Sequence, residues 1–161
     1  MNQDIRIHLK STRYEVEASL FTSAAEKGDV SSLMGTPEVE PEVIEIRSLG
    51  RMKREDGRME ISYDETEVTG MEGSSTAVSF LESETGVVSM IREGAVSTVL
   101  VFESGKRHHC VYNTPYMPFE VCVHTLKVDN RLMEEGYLDL DYVIEIRGAQ
   151  AERTKFRMEI L

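Results

Sequence analysis

The chain has no tryptophan, only four prolines, and two cysteines in 161 residues. Two cysteines, Cys110 and Cys122, are too few for a disulfide scaffold, and the expectation is that both stay reduced. No apolar run approaches the length that crosses a bilayer. The start, "MNQDIRIHLK", lacks the apolar stretch of a secretory signal, so a cytoplasmic location is expected. Basic residues are in the minority, 18 Lys and Arg against 29 Asp and Glu, for a net charge of −11. Such a surface repels phosphate backbones and anionic lipid heads, which argues against nucleic-acid and membrane-surface partners. There is no phosphate-cradling glycine loop and no local motif of a Ser-His-Asp or Cys-His-Asn nucleophile. Support for catalysis is weak, resting on Glu65 as a general base if desolvated, and no cofactor is expected. A convincing amphipathic helix of core length is also missing.

What the chain does have is alternation. Ile5, Ile7 and Leu9 alternate with Arg6, His8 and Lys10. Successive side chains of a strand point to opposite faces, so this is a half-buried strand. Ile44, Ile46 and Met52 share one parity, and Met59, Ile61 and Tyr63 share another. Leu138, Leu140, Tyr142, Ile144 and Ile146 alternate with acidic residues, and Phe156, Met158 and Ile160 alternate with charged ones. Turn signals ending at Gly57, Gly70, Gly86, Gly105 and Gly136 separate these runs. The count is about ten strands. One apolar face per strand and no covering helix predict an all-β fold, a single antiparallel barrel over residues 1–161.

Two places break the alternation. Odd parity at Ile5, Ile7 and Leu9 gives way to even parity at Tyr14, Val16, Ala18 and Leu20, which predicts a bulge or bend near Ser11 to Arg13. Residues 28–42, "GDVSSLMGTPEVEPE", are rich in Gly, Ser, Pro and Glu, and read as a flexible acidic loop or lid.

The ordered set "SYDETEVTG" (62–70), "MIREGAV" (90–96), "YNTPY" (112–116), "VHT" (123–125) and "LDLDYVIEI" (138–146) resembles the YwiB-like family. That family is a domain of unknown function with a calycin-type, lipocalin-like barrel. The resemblance covers nearly the whole chain and implies a fold. It implies little about activity, beyond the small apolar ligand that calycin barrels commonly hold in the lumen. Met117 stands where the family usually has glycine, and the 28–42 loop looks longer than is usual.

Two groups of residues are candidate sites. The first is "RHHC" to "CVH". With a turn near Pro115, Cys110 would face Cys122 and His108 would face His124, a set that zinc accepts. The competing reading is a plain hairpin. Four ligands on an open sheet face do not readily converge on a tetrahedral ion, and Cys122 and His124 would share an outer face with Glu120. The plain hairpin is preferred. The second group lies on core-facing parity: Tyr63, Glu65, Arg92, Tyr112, Thr125 and Tyr142. A buried charge must be paired or must meet a ligand's charge. One reading is an Arg92–Glu65 ion pair satisfied by tyrosine hydroxyls. The other is the polar end of a lumen pocket, where Arg92 receives the carboxylate of a small, apolar, fatty-acid-like ligand. The functional expectation is a non-catalytic lumen binder. The alternative is an interaction or structural module whose barrel is filled by its own side chains.

Overall fold

The computed structural model describes residues 2–15, 41–66, 73–95, 97–113, 115–146 and 149–161. Ten strands account for most of them: β1 (Asn2–Glu15), β2 (Glu42–Glu55), β3 (Arg58–Asp64), β4 (Ser75–Leu81), β5 (Glu84–Glu93), β6 (Thr98–Glu103), β7 (Arg107–Asn113), β8 (Pro118–Arg131), β9 (Tyr137–Ile146) and β10 (Ala149–Ile160). No helix long and apolar enough to cross a membrane occurs among the described residues.

The strands form one sheet in the order β6-β5-β4-β3-β2-β1-β10-β9-β8-β7, and each neighbouring pair is antiparallel. The N-terminal strand therefore lies in the middle, joined on one side to β2 and on the other to the C-terminal β10. The two edge strands curl back towards each other. Ser97 and Asn113 exchange N–H to C=O bonds of 2.9 Å in both directions. At the other end Gly105 donates to the Thr125 carbonyl, and Thr125 to the Lys106 carbonyl. The result is a nearly closed antiparallel barrel, as the alternation predicted. Near-closure leaves little of the hydrogen-bonding edge that an open sheet would present.

The inner faces carry the core. Ile7, Val88, Phe102, Val123, Leu138 and Met158 are fully buried, each on the apolar parity of its strand. At the β2–β3 hairpin Asp56 and Gly57 both have positive φ, 52° and 72°, the geometry of a two-residue type I′ turn. Gly105 and Gly136 sit at turns as expected, each with positive φ. Gly86 does not. It lies inside β5, and the turn falls at Glu82–Ser83. Gly70, most of the 28–42 acidic loop and residues 16–20 lie outside the described residues.

The expected bulge near Ser11 to Arg13 is also absent. β1 keeps unbroken register with both neighbours, from Ile7↔Ile160 to Glu15↔Glu152 on one side and from Asn2↔Lys53 to Arg13↔Glu42 on the other. Ser11 and Arg13 therefore stay on the inner parity of Ile7 and Leu9. Their polarity reflects what they line, rather than a change of face.

Candidate functional site

A cavity of about 90 Å³ remains at one end of the lumen. β3 brings Tyr63 to it, the segment after β3 brings Glu65, β5 brings Arg92, β7 brings Tyr112 and β9 brings Tyr142. Five of the six residues picked out by core-facing parity thus share one wall-to-wall space. The sixth, Thr125, is fully buried but does not line it. Leu9, Met90, Leu100 and Phe156 supply an apolar lining, and Ile44 and Ile46 contribute from β2.

Thr76 of β4, behind the lining, joins two of the polar residues. Its hydroxyl donates to Glu65 Oε1 at 2.6 Å and accepts from Arg92 Nε at 3.3 Å. The direct Arg92–Glu65 pair is long, 3.9 Å. The expected ion pair is therefore present but loose, with a threonine hydroxyl joining its two halves. Glu65 Oε2 is buried and accepts no hydrogen bond. Exposure rises from the interior outwards. The Glu65 side chain is 2% exposed and that of Arg92 17%. A second ion pair, Arg13–Glu152 at 3.8 Å, is 33% and 36% exposed and marks the mouth.

The three phenols stay neutral at ordinary pH. Burial raises the Tyr63 hydroxyl well above its usual range and the Glu65 charge adds to this, while Arg92 and Thr76 act against it. Burial pushes Tyr112 up to about 12, with Arg92 opposing. Tyr142 is raised by burial, against the pull of Arg92 and Thr154. Neutral phenols can donate and accept hydrogen bonds, and they leave Arg92 and Arg13 as the cations of the wall.

Sequence reasoning missed Ser11, Arg13 and Glu152. The signal for the first two was present: the odd parity of β1 runs on through positions 11 and 13. It was present for Glu152 too: position 152 continues the even parity of Phe156 and Met158, and the irregularity of β10 lies beyond it, towards Gln150.

The histidine–cysteine hairpin resolves differently from its zinc reading. β7 and β8 pair one residue out of the register that reading needs, with Cys110 opposite Val121 and His108 opposite Val123. A one-residue offset sends every side chain of one strand to the other face relative to its partner. His108 and Cys110 therefore join Val121 and Val123 on the inner face. Cys122 and His124 lie on the outer face, where Arg107 reaches His124 Nδ1 at 3.4 Å and Glu145 at 3.0 Å. The four residues do not converge. Among the described residues, no group of three or more His, Cys, Asp and Glu side chains is placed to hold a metal ion. Burial pushes the Cys110 thiol up to about 11. Burial, followed by Glu145, raises that of Cys122. Neither is a reactive thiolate at neutral pH.

The profile of a family described as "Domain of unknown function (DUF1934)" matches residues 30–158, well over half of the chain. The chain belongs to this family. In fold it is similar to the crystal structure of the ywiB protein from Bacillus subtilis. The TM-score is 0.70 at 20% identity, over 99% of this chain and 93% of that one. At that identity the likeness shows the fold alone. No curated protein matches the chain. The family match begins after β1, whereas the structural match takes it in. The barrel shared with the ywiB protein therefore includes the N-terminal strand.

Proposed function

We propose that this family member is a non-catalytic binder of a small molecule with an apolar body and a polar head. The head enters the lumen cavity against Arg92, Glu65 and the three tyrosines, while the body rests on Ile44 and Ile46. The observation that carries this reading is the convergence of buried charged and phenolic groups on a cavity that the barrel's own side chains leave open. At about 90 Å³ the space lies well below the 300–1,000 Å³ of sites that enclose a whole drug-sized ligand. It fits a head group, not an entire fatty acid.

Native mass spectrometry of the full chain, purified without chelator and compared with its denatured mass, tests the reading. A non-covalent organic mass is expected, and Arg92→Met is expected to lose it. A bound mass that Arg92→Met retains unchanged would remove Arg92 from the site. A bare protein would favour the interaction or structural module, whose lumen serves only to be filled.

A further inference from the structure

The cavity wall is balanced in charge. Its ionisable cations are Arg13 and Arg92, and its carboxylates are Glu65 and Glu152. They stand as two loose pairs, 3.8 Å and 3.9 Å apart. The inner carboxylate is half used. Glu65 Oε1 accepts the Thr76 hydroxyl, while Oε2 is buried with no donor. Buried polar atoms of native proteins are almost always paired, so an orphan on a residue that lines a cavity is where a guest could supply the missing partner after a small side-chain turn.

We infer that the ligand's head is net neutral and carries a hydrogen-bond donor directly beside an acceptor. The donor, an N–H or O–H, meets Glu65 Oε2, and the acceptor meets the Arg92 guanidinium. This deepens the lumen-binding reading and rests on it. A carboxylate head would satisfy Arg92, but it would set a second negative charge against Glu65 and leave Oε2 without a donor. A bare ammonium head would satisfy Oε2 and be repelled by Arg92. A primary amide meets both groups without net charge. A zwitterionic α-amino acid meets both with opposite charges correctly placed. Either head fits a cavity of about 90 Å³, the space of about three waters at about 30 Å³ each. The fatty-acid-like head expected from parity alone takes account of Arg92 but not of the free oxygen beside it.

Four probes with one chain length separate the cases: hexanamide, 2-aminohexanoate, hexanoate and hexylammonium. Each is titrated into the isotope-labelled full chain, and the amide resonances of cavity-lining residues are followed. Hexanamide or 2-aminohexanoate is expected to bind at least about ten-fold more tightly than the two singly charged probes, a difference of one decade in Kd. Which of those two binds better tells a neutral amide from a zwitterion. Glu65→Gln is expected to shrink the preference over hexanoate, because the added carboxylamide no longer repels an anion. The ranking in the unaltered protein stands even if that variant does not fold. Hexanoate or hexylammonium binding best would overturn the head-group assignment and leave lumen binding intact. No cavity resonance moving with any probe would overturn both.

Discussion

Thr76 and Thr125 show how far a single hydroxyl's meaning depends on its neighbours. Both are fully buried on inner strand faces. The Thr76 hydroxyl joins Glu65 to Arg92, whereas Thr125 Oγ1 has no hydrogen-bond partner. The same near-isosteric change should therefore act in opposite directions. Thr76→Val removes a bond to a buried carboxylate and is expected to destabilise by about 1.5–3 kcal/mol. Thr125→Val removes an unsatisfied buried hydroxyl and is expected to be neutral or stabilising by up to about 1 kcal/mol. Urea unfolding midpoints at constant slope measure both. Equal losses at the two sites would mean that the hydroxyl bridge of Thr76 contributes nothing beyond shape. In the sequence the two threonines look alike, since each sits on apolar parity. Parity alone groups Thr125 with the cavity residues, and only the arrangement of strands around the lumen separates it from them.

At the scale of elements, close approach matters more than turn chemistry. Gly94, just past the end of β5, lies against the start of β4. A Cβ placed there would stand 2.9 Å from Ser74 Cα and 2.7 Å from Ser74 Cβ. Ser74 in turn accepts the Glu65 N–H on its carbonyl at 2.8 Å. Gly94→Ala is thus expected to push Ser74 away, to cost about 1–3 kcal/mol by overpacking, and to disturb the placement of Glu65 in the cavity. Gly86, inside β5 with nothing within 4 Å of its would-be Cβ, should accept alanine with little change. Thermal melts of the two variants check the contrast, and similar melting temperatures would contradict it. The β7–β8 hairpin makes a related point. Its strands were legible from alternation, but its register was not. Asn113 pairs with Pro118, and a one-residue offset decides whether Cys110 faces Cys122 or Val121.

For the whole molecule, the buried phenols tie stability to alkaline pH. Tyr63, Tyr112 and Tyr142 hold their protons in the native barrel above the ordinary tyrosine range. In the unfolded chain each ionises near pH 10. Above that pH the native state binds more protons than the unfolded state, so stability falls as pH rises. Below it the contribution is fully present. The expected loss is about 1.4 kcal/mol per pH unit for each tyrosine, beginning near pH 10 and ending, for Tyr112, at about 12. Urea unfolding at stepped pH, with tyrosinate absorbance as a second probe, measures it. Tyr63→Phe should lower the slope by about a third, being one of three such groups. Tyrosines that ionise near pH 10 in the folded barrel, without loss of stability, would contradict the expectation.

Alternation by itself determined the all-β class, the number of strands, the inner face of most of them and the parity of Tyr63, Glu65, Arg92, Tyr112 and Tyr142. It could do so because a strand's side chains repeat every two residues, and burial imposes the same period on hydrophobicity. Three matters were decided only by tertiary structure. One is the pairing register of β7 and β8, which split the histidine–cysteine cluster across two faces. Another is the meeting of β1 and β10 that sets Glu152 3.8 Å from Arg13 at the cavity. The last is the bridging of Glu65 and Arg92 by Thr76, which leaves one carboxylate oxygen free. Each depends on which residue of one strand lies against which residue of another. That relation is set by loop geometry, bulges and barrel closure, and a single strand's own pattern carries no record of it.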